Sequence, residues 1–345
     1  PFLPAGTVIA REQTYVHTFY KKEATAQQPA TSKEEGNLVA FSGPDFKATF
    51  DKQSGLLTSY LYKKHEYILN GQGPRPFFWR APTDNDYGAN LPVRLKAWKE
   101  ASYQEPKAES FQVTPGSNAT TIKVTYRFPQ TDARWDITYK IYASGVIKVD
   151  NRFVAEGDQA PMIPRVGLRM QLPESFTDLT YYGRGPKENY RDRRTSQFIG
   201  KYTIPVKDMY EPYVRPQENN HRTDIYWCAL TDKTQRGLLL IADRTFELNA
   251  SNYPLESMDS GDTIDNGAPR TEKTHHRHLT DPLPEKMVDL FIDYRMMGVG
   301  GDDSWGATAH EPYLIRPGKE NAIEYGFYLV PFDKKEDYKY LIRQY

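Results

Sequence analysis

Apolar residues recur at every second position in several separate stretches of the chain. The clearest runs lie near residues 46–50, 122–128, 135–141, 147–153, 168–172, 288–294 and 323–329. Successive side chains of a β-strand point to opposite faces of its sheet, so this alternation indicates strands with one buried face. Turn-forming segments such as residues 51–55 and 144–145 separate several of the runs. The pattern predicts antiparallel strands joined by short turns.

Helical periodicity is weak along the whole chain, with short helices predicted only near residues 95–99 and 333–340. We see no internal repeat. So many strands in one continuous stretch require two large sheets that pack against each other. We therefore predict an all-β fold for residues 37–345.

The first 36 residues have a different character. Residues 1–20 have strand-like composition, but one or two strands do not form an independent sheet. Residues 21–36 are polar and unpatterned, and we interpret them as a linker. The N-terminus has neither the basic nor the apolar region of a signal peptide, so we expect it to be a cut within a longer chain.

Composition narrows the range of partners. The 345 residues contain 45 Lys and Arg and 45 Asp and Glu, so neither nucleic acid nor a membrane is expected as a partner. No apolar stretch approaches the roughly 20 residues of a transmembrane helix. The single cysteine, Cys228, lies in an apolar run and is predicted to be a buried small hydrophobe rather than a nucleophile. Neither the charge balance nor the single cysteine indicates the cellular compartment of the protein.

The segment with the most unusual composition is residues 297–306, MGVGGDDSWG, which follows an alternating run. Glycines allow a tight turn or a close backbone approach, and Asp302 and Asp303 are suited to accepting backbone N–H bonds. Trp305 has two interpretations. Its indole either packs inside its own domain, as most tryptophans do, or offers a flat face to a sugar.

Three further motifs accompany that segment: FFWRAPTDNDYG at residues 77–88, YGRGPKENY at 182–190 and MYEPYVRPQEN at 209–219. Together the four motifs resemble the C-terminal region of LacZ-type β-galactosidases of glycoside hydrolase family 2. The resemblance extends from about residue 37 to the end of the chain. It implies an antiparallel β-supersandwich similar to that of galactose mutarotases. It also implies that residues 1–20 are remnant strands of a preceding immunoglobulin-like domain.

The resemblance implies a function as part of a larger enzyme. The full-length protein would hydrolyse terminal β-D-galactosides with two glutamates on a catalytic barrel, and neither barrel motif occurs in this sequence. No catalytic residue is therefore predicted here. The fragment would complete the barrel's substrate site, and its partners would be the upstream domains, the β-galactoside and, in a homo-oligomer, further copies. It would need no cofactor, whereas the full-length enzyme could use Mg or Ca.

The resemblance also implies which residues bind substrate. Trp305 would lie at the mouth of the site, exposed and facing the barrel. Gly88 would begin a mobile loop over the site, with residues 90–97 as its moving part. Asn85, Asp86 and Asp303 complete the predicted binding set, because acid and amide groups near an aromatic ring suit sugar hydroxyls.

Retaining glycoside hydrolysis needs two carboxylates about 5–5.5 Å apart. The candidates within the chain are Glu188, Glu218, Asp84, Asp86, Asp302 and Asp303. Glu188 and Glu218 stand near several arginines in the sequence: Arg184, Arg191, Arg215 and Arg222. Because ion pairs are the commoner use of such neighbours, we predict structural roles for both glutamates.

No metal site is predicted. The acidic segment that begins at Asp84 resembles a calcium loop, but Leu95 stands where such a loop needs its bidentate glutamate. His275, His276 and His278 form a cluster in which two residues share a strand face, and two ligands are too few for structural zinc. Loop shaping and a solvated histidine cluster are the preferred interpretations.

Two other function classes remain open at this point. One is a free-standing carbohydrate-binding β-sandwich that uses aromatic side chains as stacking platforms, and it should bind galactosides unaided. The other is an aldose epimerase of the mutarotase type, which needs a positioned general acid and base and is tested by an anomer-exchange assay.

Overall fold

The strands predicted from the alternation lie in two antiparallel sheets. The structure is a computed structural model that describes residues 3–14, 27–156, 162–261, 278–303, 306–316, 318, 322–333 and 338–345. Within these residues the strands are β1 (Thr31–Glu35), β2 (Leu38–Ser42), β3 (Phe46–Asp51), β4 (Leu57–Tyr62), β5 (His65–Glu66), β6 (Arg75–Phe77), β7 (Ala108–Thr114), β8 (Thr120–Phe128), β9 (Ala133–Ile141), β10 (Ile147–Ala155), β11 (Arg165–Pro173), β12 (Asp178–Gly185), β13 (Phe198–Pro205), β14 (Arg222–Thr231), β15 (Gly237–Ser251), β16 (Met287–Met296) and β17 (Ile323–Phe332). The helices are α1 (Asp84–Gly88), α2 (Leu91–Arg94), α3 (Lys96–Tyr103) and α4 (Tyr338–Gln344).

The smaller sheet is a meander in the order β1-β2-β3-β4-β5. In β3 the alternation is visible directly, because Phe46, Ala48 and Phe50 are buried and the residues between them are not. Its first strand, Thr31–Glu35, lies in the stretch interpreted as a linker, so that interpretation is wrong for these five residues. All five side chains are exposed, which explains why the polar sequence carried no strand pattern.

The larger sheet has twelve strands and branches at the long strand β15. The first half of β15 pairs with β17, which leads through β10, β9 and β8 to β7. Its second half pairs with β16, which leads to β11 and β6. β14, β12 and β13 extend the sheet on the other side of β15. The predicted all-β class with large packed antiparallel sheets is thereby confirmed.

The main core is rich in aromatic rings. Phe78 lies within 5.5 Å of the ring centroids of Trp98, Trp135 and Phe153. Trp98 comes from α3 and is fully buried, so this helix is anchored in the sandwich by one large side chain. Cys228 is buried as predicted, and burial raises the pKa of its thiol.

The N-terminal stretch differs from its expectation where it is described. Residues 3–14 contain no strand and are exposed. Gln13 is bonded to the backbone of Ile199 in β13, donating to its carbonyl at 2.7 Å and accepting from its N–H at 2.7 Å. Residues 15–20, the other part of the predicted immunoglobulin-like remnant, lie outside the described residues. The domain boundaries stay predictions.

The helices are only partly as expected. α3 and α4 lie close to the two predicted positions, whereas α1 and α2 were not predicted. In the part of the chain that the structure describes, no helix has the length and apolar character needed to cross a membrane.

Candidate functional site

The site is built around α1, the short helix within the first motif. Thr83 precedes it with extended backbone angles, and its hydroxyl accepts a bond from the Asp86 N–H at 3.1 Å. In return the Asp86 carboxylate accepts the Thr83 N–H at 3.0 Å. This reciprocal pair is a capping box, and it explains why a five-residue helix begins here.

Asp86 also holds a buried arginine. Its two carboxylate oxygens accept bonds from Arg80 at 3.0 and 2.7 Å, and both residues are buried. Burial alone lowers the pKa of Arg80, but the charge of Asp86 outweighs it and raises that pKa, so the guanidinium is a permanent cation. Arg80 donates onward to the carbonyls of Met297 and Gly298 at 2.8 and 3.1 Å. Asp86 thus orients the group that holds the start of residues 297–306, called the glycine segment below.

Two more side chains hold the same backbone. Asn85 donates to the Val299 carbonyl at 2.9 Å. From the other side, the Asp192 carboxylate accepts the N–H groups of Val299 and Gly300 at 3.1 and 2.8 Å. The first turn of the glycine segment is therefore fixed by three groups from two places in the sequence: the guanidinium and amide of residues 80 and 85, and the carboxylate of Asp192.

The far end of the glycine segment returns to α1. Gly306 has a φ of +104°, and a Cβ built on it would lie 2.5 Å from the Gly88 carbonyl oxygen. Only glycine fits that contact. Asp303 accepts the Ala307 N–H at 3.2 Å, as predicted, whereas Asp302 pairs with the exposed His310.

Trp305 and Ser304 lie outside the described residues, so the exposure of the indole is not tested. The described residues before and after Trp305 show which parts of the molecule this segment contacts. Gly306 touches Gly88, and Asn85 holds the root of the same segment. Three of the predicted binding residues therefore meet the glycine segment by contact or through Arg80: Asn85, Asp86 and Gly88. Their role in binding substrate stays a prediction.

The motif at residues 209–219 lies against α1 and forms one edge of the site. Gln217 donates to the exposed carboxylate of Asp84 at 3.1 Å, and Arg215 approaches it at 3.6 Å. The Arg215 guanidinium lies 3.8 Å from the centroid of the Tyr87 ring, which is buried. The segment at 209–219 thus covers one side of α1, and no sequence spacing indicated that contact.

The two glutamates interpreted as structural do form ion pairs. Glu188 pairs with Arg193 at 2.5 Å and also accepts bonds from the Tyr213 hydroxyl and the Asn220 N–H. Glu218 lies 3.5 Å from Arg165 and accepts a bond from Asn249 at 3.0 Å. Both glutamates form ion pairs as predicted, but neither partner is one of the four arginines named from the sequence.

Behind the site lies an ionic network that was not predicted from the sequence, and it is buried except for the partly exposed Arg191. His221 bonds Glu247 at 2.9 Å and Asn249 at 2.7 Å, and Glu247 also accepts from Arg191 at 2.6 Å. Burial alone lowers the pKa of His221, but the bond to Glu247 outweighs it and raises that pKa. The same bond lowers the pKa of Glu247 against the opposing effect of burial.

Asp293 completes the network. Its Oδ2 lies 3.2 Å from Arg165 Nε, and burial raises its pKa to about 7 although Arg165 opposes the shift. The sequence did contain a signal for this network. Two acidic residues, Asp289 and Asp293, interrupt the apolar strand that leads into the glycine segment. An unpaired charge does not remain in an apolar strand, so each required a buried cation.

The segment expected to move over the site is helical. Residues 90–97 span α2 and the start of α3, and Leu91 and Leu95 are buried. Its mobility stays a prediction.

No group of three potential metal ligands occurs among the described residues. His275 and His276 lie outside them. The predictions about cofactors, and about this histidine cluster, stay predictions.

The sequence of the chain is similar to a known protein family and to known proteins of bacteria. The family described as "Beta galactosidase small chain" matches residues 42–329. A β-galactosidase of Priestia megaterium is 33% identical over 291 residues, which is 84% of this chain and 26% of that protein. A β-galactosidase of Lactobacillus delbrueckii subsp. bulgaricus is 32% identical over 316 residues, 89% of this chain and 29% of that protein. The chain therefore spans less than a third of the length of these relatives.

Among solved structures, galactose 1-epimerase from Lactobacillus acidophilus NCFM is similar in fold. It aligns with a TM-score of 0.48 at 6% identity and covers 90% of this chain and 99% of its own.

Proposed function

The chain belongs to the β-galactosidase small-chain family, and on that premise we propose that it is the C-terminal part of an enzyme that hydrolyses terminal β-D-galactosides. In this proposal the catalytic glutamates belong to a separate barrel in the upstream part of the protein. The fragment lends the barrel a rim of binding groups and is inactive by itself.

The observation that carries the proposal is the junction between α1 and the glycine segment. Arg80, Asn85 and Asp192 hold the root of that segment, and Gly306 closes it against Gly88. Glycines and buried charges both cost stability, and sites that tolerate such costs are often functional. A segment fixed at both ends is suited to presenting Trp305 to a ligand.

The carboxylates of the fragment support the second half of the proposal. Asp86, Glu188 and Glu218 each accept bonds or pair with an arginine, and Asp86 and Glu218 are buried. Their charges are neutralised by ion pairs with arginines that stabilise the structure. A nucleophile and an acid/base must face the substrate, so the proposal assigns both roles to the barrel.

The test uses Trp305→Ala in the full-length enzyme. We expect KM for a nitrophenyl β-galactoside to rise about tenfold, equivalent to about 1.4 kcal/mol of lost binding. The proposal has the indole exposed, so the free energy of unfolding should change by less than about 0.5 kcal/mol. Trp227→Ala is the matched control. That indole is half-buried against Tyr182 on the larger sheet, so its removal should lower stability and leave KM unchanged.

Unaltered kinetics in Trp305→Ala, or a variant that unfolds, would remove the binding role. The purified 345-residue chain serves as a second arm. Turnover by this chain alone, abolished by replacing one of its own carboxylates, would show that the catalytic pair lies within it. Tight binding of galactosides by the isolated chain would favour a free-standing binding module instead.

A further inference from the structure

A second concave surface lies apart from the α1 junction. The outer face of the larger sheet encloses an open groove of about 1040 Å³, lined by residues of β7, β8, β9, β10, β15, β16 and β17. Of the described residues that line it, none belongs to α1 or to the glycine segment. Its volume is at the upper end of the range for ligand sites.

Polar side chains form a row across the floor of this groove. Strand pairing places Asp136 of β9 opposite Thr125 of β8 on one side and Arg152 of β10 on the other. Arg152 in turn lies opposite Glu324 of β17. Four strands at the usual spacing make such a row about 14 Å long. Hydroxyl, carboxylate and guanidinium groups therefore alternate along a floor long enough for several sugar rings.

The groove carries an excess of positive charge. Six cationic side chains line it against four carboxylates: Lys123, Arg134, Arg152, Arg191, Arg244 and Arg295 against Asp136, Asp150, Asp243 and Glu324. The carboxylates are already paired. Asp136 forms an ion pair with Arg134 at 2.9 Å, and Glu324 forms one with Arg152 at 3.4 Å. Lys148 forms ion pairs with both Asp150 and Asp243. Within the described part of the chain, Lys123, Arg244 and Arg295 have no carboxylate partner.

Arg295 is the most informative of these cations. Its guanidinium lies 5.2 Å from the centroid of the Tyr294 ring, and its Nε is buried without a hydrogen-bond partner among the described residues. Burial, together with the nearby charge of Arg191, lowers the pKa of Arg295. A buried donor without an acceptor costs free energy, which an anionic ligand recovers.

We propose that this groove is a second binding site, which takes an acidic oligosaccharide. The hydroxyls of the sugar bond the polar row, a ring packs on Tyr294, and a carboxylate or sulfate group sits at Arg295. A single-stranded nucleic acid carries a charge on every nucleotide, more than the three lining cations without a carboxylate partner among the described residues can match. A sugar chain with an occasional acidic group matches these cations. The site is independent of the proposed galactosidase role.

The test is calorimetric titration of the purified chain with three probes of equal length: galactotriose, tri-galacturonic acid and a sulfated galactotriose. We expect at least one acidic probe to bind at least ten times more tightly than galactotriose, and its affinity to fall with added salt. Arg295→Gln should weaken binding of that probe at least tenfold. Arg127→Gln is the control, since Arg127 pairs with Glu109 at 3.1 Å and does not line the groove.

Arg244 is exposed, so Arg244→Gln provides a variant with an intact fold if Arg295→Gln is unstable. It should weaken acidic probes severalfold. Binding of only the carboxylated or only the sulfated probe supports the site and identifies its anionic group. The proposal is overturned if no probe binds, if galactotriose binds as well as the acidic probes, or if the groove variants match Arg127→Gln. None of these outcomes depends on hydrolysis of a galactoside.

Discussion

At the scale of single residues, two aspartates of α1 show how neighbours acquire opposite roles. The Asp84 side chain is 59% exposed and the Asp86 side chain 6%. Two positions along a helix turn the side chain by more than half a circle, so one faces the solvent and the other faces Arg80. The identical side chains differ only in which way the helix turns them.

We predict that Asp86→Ala lowers the free energy of unfolding by about 3–5 kcal/mol, because it leaves the buried Arg80 without its carboxylate. It also removes half of the capping box. Asp84→Ala should change stability by no more than about 0.5 kcal/mol, as is usual for exposed positions. Urea unfolding followed by tryptophan fluorescence measures both. Equal losses in the two variants would mean that the Arg80–Asp86 pair contributes nothing specific.

At the scale of elements, the glycine segment depends on one close backbone contact. Gly306 combines a positive φ with a position where any Cβ would strike the Gly88 carbonyl. Gly36, in the turn between β1 and β2, also has a positive φ, of +58°, but nothing lies within 4 Å of its missing Cβ. Substituting the two glycines therefore distinguishes the cost of a positive φ, which both positions share, from the cost of the steric contact, which only Gly306 has.

We predict that Gly36→Ala costs about 1 kcal/mol of stability, the usual penalty of the left-handed region, with normal kinetics in the full-length enzyme. Gly306→Ala should cost more and also raise KM, because the glycine segment must move away from α1. Thermal unfolding and steady-state kinetics on both variants test this. A normal KM in Gly306→Ala would show that the position of the segment does not matter for substrate.

At the scale of the whole molecule, one buried ionic network links separate parts of the larger sheet. Arg165 lies on β11, Asp293 on β16 and Glu247 on β15, and His221 precedes β14. All four side chains are buried. Such a network is costly to assemble and makes stability depend on pH.

Two groups of this network have raised pKa values, and both act in the same direction. The pKa of Asp293 is about 7 when folded against an ordinary 3.8, and that of His221 is raised above 6.5. Their stabilising protons are fully bound below the unfolded pKa of each group and are lost as the pH rises through the folded value. We therefore predict that the free energy of unfolding falls as the pH rises from 5 to 8.

Asp293→Asn keeps the shape of the side chain and removes the titration, so it should flatten this fall by at least about 1 kcal/mol, since one pKa unit corresponds to about 1.4 kcal/mol. Asp208→Asn replaces an exposed aspartate and should leave the slope unchanged. Urea unfolding at several pH values provides the comparison. A slope that is the same in Asp293→Asn and in the unaltered chain would assign the pH dependence to other groups.

The sequence by itself determined those strands whose apolar residues alternate, because alternation is a local property of neighbouring residues. β3, β9 and β17 follow directly from their apolar positions. The burial of Cys228 followed from the apolar residues around it. Ion pairing of Glu188 and Glu218 was also predicted, although the arginines that pair with them were not those named from the sequence. In β1 the same reasoning failed, because an edge strand whose side chains are all exposed carries no alternation.

Only the tertiary structure decided which groups meet. The partner of Glu218 is Arg165, far away in the sequence, and Asp192 reaches the glycine segment across more than a hundred residues. β16 shows why. Its alternating apolar residues predicted one buried face, but both faces are covered, and Asp289 and Asp293 are neutralised by arginines of β11. Periodicity reports whether a residue can be buried, whereas charge pairing and close backbone contacts depend on which strands the fold brings side by side.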